Sequence, residues 1–574
     1  MEQSAGDRTA PKSVLRIEWI YGYRAAGCRS NIHVTASGEI VYFSAGVGIV
    51  ENINEHKQKF FLGHDNDIIS SALHHERVII ATGQIGKNAQ ICVWNTSAMK
   101  LESLLQGHKD GVGALNFHPD GEKIASVGID SDNVIKIWNW RKGKMLATVI
   151  GHQERVLDIM QTQDQLITCG VKHIRFWTLL GNTLQYKDGS FGKFDVQTLL
   201  CIGHFSVPKT CFTGAINGDI YIWKDGKVDR FIAAAHSSSI YSIAMTANGF
   251  LSSGKDGLVK IWNDDFTPVG PSVKIPCFVQ DSEEATVCSI ACNDSFVIAG
   301  TRQSEIYSFN IQSNTAPKLV VAGHSDDGLW ALACHPRENV FATGGDDGAL
   351  RFWNADQMHI ISFYFVPFSQ SSATPSIRSC GYSSNGNNIA VGFDNGLVEI
   401  YPTSVTSQQD PHVKPIHIIQ DRTERIQTVK FSPNDQYLAV SCSDGNIDIY
   451  VVKDKYKSLQ FKYDNHGTAI YNIDWTEDEK YIQAAGEIKE RYVFEISCKY
   501  IKVTERNVAN IKNWHTYNSL KQDDVKGIWN KFAEKTDIVT IDADIHLGVI
   551  AGGDENGLIK LFRFPAERRG KSEF

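Results

Sequence analysis

Histidine, serine, aspartate and tryptophan recur in this chain at spacings that could activate a nucleophile. Gly-His or Ala-His pairs stand at Gly63-His64, Gly107-His108, Gly151-His152, Ala235-His236 and Gly323-His324. Ser252, Asp256 and Trp262 follow His236, while Thr343, Asp347 and Trp353 follow His324. A histidine held between a hydroxyl and a carboxylate is the arrangement that readies serine for acyl transfer. Repetition argues against that use, because an active site would occur once and these sets recur. The expected role of both sets is a side-chain relay across one sheet, satisfying buried polar groups and locking turns. Such satisfaction matters because an unpaired buried donor costs about 1–3 kcal/mol.

Other chemistry is sought and not found. GQIGKN (83–88) lacks the spacing and the Ser or Thr of a phosphate loop. GYSSNG (381–386) lacks the second glycine of a nucleophile elbow at the right offset. Cys288 and Cys292 are four apart and His74 adjoins His75, but neither set has zinc partners at suitable spacing. In a strand, residues four apart share a face, so both cysteines can point into one core. No catalytic residue, cofactor or metal ligand is expected.

The elements that carry these residues repeat. Apolar strands close on Trp94, Trp138, Trp177, Trp223, Trp262, Phe309, Trp353, Tyr401, Tyr450, Phe494 and Phe562, at intervals of 39 to 49 residues apart from one of 68. Turns follow at Asn217-Gly218, Asp256-Gly257, Asp347-Gly348, Asn395-Gly396, Asp444-Gly445 and Asn556-Gly557. These pairs suit tight hairpins because both central residues tolerate positive φ. Short strands, turn signals and this period predict an all-β chain of tandem β-propellers. Each repeat is a small sheet that cannot bury both faces alone, so neighbours must pack around a ring.

Residues 1–13 read as a polar, disordered tail. Residues 14–313 read as a first propeller of about seven blades whose aberrant first blade carries Phe43. Residues 314–574 read as a second propeller of about five repeats, with an insertion at 497–535 and a long connection at 264–285 before it in the first ring. A hydrophobic fraction of 42% with 12 Trp, 28 Phe and 19 Tyr is ample for two rings. Net charge −8 disfavours nucleic acid or an anionic membrane as partner. Cys92, Cys169, Cys201 and Cys442 lie in apolar runs and read as buried hydrophobes of a reducing compartment. No apolar run reaches the roughly 18–20 residues of a membrane span, and no apolar leader opens the chain. The expected location is the cytoplasm.

This repeat grammar resembles the WD-repeat (WD40) propellers. Leu15-Arg16-Ile17-Glu18-Trp19-Ile20-Tyr21-Gly22-Tyr23-Arg24, then Cys28-Arg29-Ser30-Asn31, then Gly38-Glu39-Ile40-Val41-Tyr42-Phe43, is similar to the HELP motif. That motif marks the echinoderm microtubule-associated protein-like family, and the similarity runs from about residue 14 to 565. The resemblance implies a HELP segment built into the first ring, with Trp19, Tyr21, Tyr23, Arg24, Tyr42 and Phe43 as its core. Arg24 and Arg29 are expected to pair with carboxylates at a ring seam. It also implies a non-enzymatic scaffold associated with tubulin, microtubules or another cytoskeletal protein, in cytoplasm, cytoskeleton, cilium or axoneme. The 13 residues before the motif carry no heptads, so coiled-coil oligomerisation is not expected. After Phe562 the chain stops one repeat early, so the second ring is expected to be incomplete or completed by the insertion.

Loops on one face of each ring are free of core duty. By position after each Gly-His mark, the expected contact residues are Asp67, Asp110, Arg155, Ser239, Asp327, Trp330 and Arg425, although Trp330, at the head of an apolar strand, fits core packing better than an interface anchor. The rival reading is a general WD-repeat adaptor of a signalling or ciliary complex without direct tubulin contact. Tubulin is acidic, and a chain of net charge −8 gains little long-range attraction to it.

Overall fold

The computed structural model describes the chain apart from residues 1–10, 207–209, 278–284, 294–295, 311–314, 325–327, 366–374, 404–413, 460–468, 487–490, 497–500, 503–510, 512, 520–522, 529–537 and 567–574. Among the described residues there are twelve antiparallel sheets, eleven of four strands and a last one of three. Within each sheet the strands lie in chain order. They are numbered here as sheets 1 to 7 (33–61, 68–106, 112–149, 156–188, 199–232, 240–274 and 287–322) and sheets 8 to 12 (329–365, 377–419, 426–458, 470–502 and 538–563). No helix of the described residues is long and apolar enough to cross a membrane. The fold is a tandem β-propeller.

Burial follows strand position. First strands of successive sheets lie beside one another from sheet 2 to sheet 7 and from sheet 8 to sheet 11, and that of sheet 1 lies beside that of sheet 7. Second strands are closed in on both faces, and Ile79–Gln84 and Gly249–Gly254 are buried at every residue. Such strands read as unbroken small or apolar runs rather than as an alternation. Fourth strands are the outer edges: Lys227–Ile232 is mostly exposed, with Val228 and Ile232 half-buried.

Adjacent sheets meet where a branched side chain of one rests on a glycine of the other. A Cβ at Gly83 would lie 2.7 Å from Val112, one at Gly214 2.7 Å from Ile240, one at Gly344 2.4 Å from Ile377, and one at Gly392 2.4 Å from Ile426. In each pair the glycine is the next-to-last residue of the second strand of one sheet and the branched residue opens the first strand of the next.

The compact units are 17–325, holding sheets 1 to 7, and 1–16 with 326–574, holding sheets 8 to 12. The first unit closes on itself, since Tyr23, Ile32, Ile40 and Tyr42 share a core with Ala291, Ile298 and Ile306 of sheet 7. In the second unit shared cores join sheets 8 and 9, 9 and 10, and 10 and 11. Sheet 12 packs Ile538, Ile541, Ile550 and Phe562 against Val525 and Ile528 of the short 3-10 helix Asp523–Ile528.

Two boundaries differ from the sequence expectation. The junction expected at 313 falls inside sheet 7, because Lys318–Ala322 pairs with Glu305–Phe309 through Ile306↔Val321 and Tyr307↔Leu319. The aromatic mark closes the third strand, and a fourth must return before the sheet is complete. For the same reason the connection expected at 264–285 contains a strand, Val273–Lys274, paired with Leu258 and Val259. The first ten residues of the expected tail and most of the 497–535 insertion lie outside the described residues. What is described of the insertion includes Ile501–Lys502, the fourth strand of sheet 11.

The glycine seats give a direct test. Gly392→Ala places a methyl against Ile426 and Ser379 Oγ, an overpacking expected to cost about 1–3 kcal/mol. Urea denaturation checks it: the cost should shrink in an Ile426→Ala background, whereas additive costs would deny the contact.

Candidate functional site

The most complete relay is in sheet 6. His236 Nε2 and Ser252 Oγ lie 2.7 Å apart, and Trp262 Nε1 donates to the same hydroxyl at 2.8 Å. His236 Nδ1 lies 2.9 and 3.0 Å from the two oxygens of Asp256, which also accepts from Ser237 N and Leu258 N. The carboxylate can only accept, so Nδ1 carries the proton and Nε2 accepts from Ser252. Burial pushes the Asp256 carboxyl up, but its His236 bond outweighs this and holds it below the usual range. The connectivity matches that of a serine nucleophile, yet Ser252 is 0% exposed and already receives the indole proton. No substrate can reach it.

Variants of the relay stand in other sheets. In sheet 2, Thr82 receives Trp94 Nε1 at 3.0 Å and lies 2.7 Å from His64 Nε2. Gln84 takes the aspartate's place there, 2.8 Å from His64 Nδ1 and donating to Asp65. In sheet 3, Ser126 joins His108 at 2.7 Å and Trp138 at 2.8 Å, while His108 Nδ1 is buried with no hydrogen-bond partner among the described residues. In sheet 8, Trp353 donates to Thr343 at 2.7 Å, and Asp347 takes the Arg351 guanidinium at 2.6 Å. His324 lies half-buried ahead of that sheet. Trp177 and Trp223 make the same bond to Thr168 and Thr213.

The second cluster is the loop 24–32 of the HELP segment. Arg24 N donates to Phe43 O of sheet 1, and its guanidinium pairs with Asp67 at the head of sheet 2 at 2.5 Å. Arg29 donates to Leu157 O of sheet 4 at 3.2 Å and to Leu200 O of sheet 5 at 3.3 Å. Ser30 and Ser242 of sheet 6 share a 3.0 Å hydrogen bond. Asn31 N and Ile32 N both donate to Ser289 of sheet 7, at 2.9 and 3.1 Å. One loop therefore ties every sheet of its unit except the third. Beside Arg29, Asp158 is half-buried; burial pushes its carboxyl up to about 6 against the pull of Ile202 N, Ile159 N and Arg29. Arg29 was expected to meet a carboxylate and instead donates to backbone carbonyls, because its fork reaches two inner strands at once. Tyr23, Tyr42 and Phe43 are buried, Tyr21 is half-buried, and Trp19 lies over His56 with ring centroids 4.4 Å apart.

The expected contact residues divide. Asp110, Arg155 and Arg425 are exposed at the heads of first strands. Ser239 is not available: it is 8% exposed and donates to Ile216 O at 2.9 Å, because the loop there is pulled against the preceding sheet. Asp67 is half-buried in its pair with Arg24. Asp327 lies outside the described residues. Trp330 is 57% exposed, donating to Asp346 at 3.0 Å, with the Arg378 guanidinium 4.6 Å from its ring centre.

His74, His75 and Glu76 come together in one turn. Both His74 nitrogens are in use, one with Gly121 O at 3.1 Å and the other accepting from Glu76 N at 3.2 Å. Arg378 and Asp346 carry no sequence signal of a contact role, since no motif marks either of them.

The fold and these relays define a tandem β-propeller whose relay histidines, His64, His108 and His236, are committed to holding their sheets together. Residues 10–49 match the family described as HELP motif, residues 57–308 that described as echinoderm microtubule-associated protein first beta-propeller, and residues 329–573 its second beta-propeller. The chain is 30% identical to the 77 kDa echinoderm microtubule-associated protein of Strongylocentrotus purpuratus, over 97% of this chain and 80% of that protein. It is 28% identical to echinoderm microtubule-associated protein-like 2 of Homo sapiens, over 97% of this chain and 85% of that one. Echinoderm microtubule-associated protein-like 1 of Mus musculus is also 28% identical, over 97% and 68%. The chain belongs to the echinoderm microtubule-associated protein-like family.

Two measurements test the buried groups. Burial pushes His108 down to about 4, against about 6.5 for a free histidine. Between those values the unfolded chain binds a proton that the folded chain refuses, so stability falls as pH drops from about 6.5 to 4. His108→Gln should lose stability less steeply than the parent over that window; parallel denaturation profiles would refute the assignment. Arg29→Met strips the donors from two buried carbonyls, so the urea midpoint should fall by an amount worth about 2 kcal/mol or more. An unmoved midpoint would show that the loop does not tie the ring.

Proposed function

We propose that the protein is a non-enzymatic, microtubule-associated scaffold that binds tubulin or another cytoskeletal partner through the first-strand ends of its rings. The observation that carries this reading is Trp330, a large aromatic exposed at the head of a first strand and held in one orientation. Asp346 bonds its indole, and Arg378 both stacks on the ring and pairs with Asp346 at 3.1 Å. A fixed aromatic loses little freedom on contact, and Trp and Arg dominate the energetics of protein interfaces. Arg425 is exposed at the head of the first strand of sheet 10 in the same unit. Names of the relatives, all microtubule-associated proteins, support a cytoskeletal setting. With net charge −8, adhesion rests on short-range contact rather than on charge steering toward an acidic partner.

Co-sedimentation with stabilised microtubules, beside gel filtration with free tubulin dimer, tests the reading. Association is expected at micromolar protein, weakened about tenfold or more by Trp330→Ala, as befits an interface anchor. Association in neither assay would sink it and leave the adaptor reading, in which another protein makes the tubulin contact.

A further inference from the structure

The turn between the first two strands of sheet 2 gathers His74, His75 and Glu76, whose ligand atoms all lie within 4.8 Å of one another. His74 is 1% exposed and lies edge-on to Phe117 and Trp140. Its Nε2 is 3.1 Å from Gly121 O of sheet 3, which can only accept, so Nε2 carries the proton. Nδ1 therefore presents a lone pair, consistent with its bond from Glu76 N. A backbone carbonyl on the far nitrogen is what fixes tautomer and ring orientation in metal-binding histidines. Gly121 O is itself anchored, accepting from Trp140 Nε1 at 2.8 Å.

The surroundings of Nδ1 favour a cation. Glu76 Oε2 lies 3.6 Å from it, and a carboxylate facing a lone pair has no proton to share. Zinc binds imidazole nitrogen and carboxylate oxygen at about 2.0–2.2 Å, so one ion can bridge that gap. The His75 ring packs on His74 with centroids 4.1 Å apart, which brings a second imidazole to the same place. The neighbouring turn makes room for both rings. Gly121 has a φ of 74°, and a Cβ there would lie 2.5 Å from His74 Nε2 and 2.6 Å from His75 Cε1. His75 and Glu76 are exposed and can close on an ion. The Glu76 N–H that this displaces makes a 3.2 Å bond, at the long end of the range, and can turn to water. Arg141, which stacks on Trp140 at 4.4 Å and is an electrostatic neighbour of His74, opposes a cation and keeps the expected affinity micromolar.

We propose that His74 Nδ1, His75 and Glu76 bind a divalent transition-metal cation of the zinc class, with water completing its coordination. Two imidazoles and one carboxylate suit zinc, copper or nickel, whereas magnesium and calcium take oxygen ligands. Through the bond from His74 to Gly121 O, the ion stiffens the joint between sheets 2 and 3.

The test uses the full chain without an affinity tag, dialysed against chelator and titrated with zinc chloride by isothermal calorimetry. Saturable micromolar binding is expected, unaffected by millimolar magnesium. His75→Ala and Glu76→Gln, both at exposed positions, should each weaken it about tenfold or more. Zinc should raise the melting temperature of the parent and leave that of His75→Ala where it was. Cys334→Ser, which removes an exposed thiol of the other unit, should bind zinc as the parent does. No uptake at millimolar zinc, unchanged affinity in His75→Ala, or loss of binding in Cys334→Ser would overturn the proposal.

Discussion

Ile426 rests on Gly392, Ile377 on Gly344, Ile240 on Gly214 and Val112 on Gly83, and the spacing of neighbouring sheets follows from these seats. A four-stranded sheet of this size has two apolar faces and cannot bury either alone. Only when the next sheet comes close does the second strand lose water on both sides, as Ile79–Gln84 does. The closeness has a polar consequence. Hydroxyls and ring nitrogens carried inward on those strands leave water behind and must find partners within the sheet.

The relays are the answer to that demand. Ser252 sits on the buried second strand of sheet 6, so its hydroxyl needs a donor and an acceptor at hand; Trp262 supplies one and His236 the other. Asp256 then fixes the remaining ring nitrogen and, through Ser237 N and Leu258 N, the turns on either side. The same atoms arranged at a surface would be a nucleophile and its base. What separates the two roles is access, and here the packing that creates the relay also removes it.

Much of this was legible because the repeat carries its own punctuation. Asn-Gly and Asp-Gly turns mark hairpins by local backbone chemistry, and Trp262 or Phe309 marks the third strand by size and position. The fourth strands Val273–Lys274 and Lys318–Ala322 were missed because the aromatic mark closes the third strand and no residue type marks the strand that returns after it. Ser239 was misread for a related reason: spacing places a residue on a loop but does not say whether the loop leans outward or, as here, onto Ile216. Arg378 and Asp346 were invisible because their meaning lies in meeting Trp330 across two sheets. Sequence reports such a meeting only through its fold.

The two units tie their sheets together differently, and this bears on where contacts can be made. In the first, loop 24–32 crosses between first strands and spends its donors on sheets 1, 2, 4, 5, 6 and 7. Asp67 is thereby drawn into holding the ring, and Ser239 is held separately by Ile216 O. In the second, bridging falls to residues 516–519, which gather Lys430 of sheet 10, Asp474 of sheet 11 and Asp542 of sheet 12. That bridge satisfies the polar interior of three sheets but leaves Leu329, Trp330 and Leu332 of sheet 8 exposed. An apolar first strand is costly to leave in water, at about 25 cal/mol per Å² of surface. Sheet 8 bears this cost on its first strand, with an aromatic clamped at its head, whereas in the first ring the loop spends its donors across the ring and the heads of sheets 3 and 4 expose the polar Asp110 and Arg155.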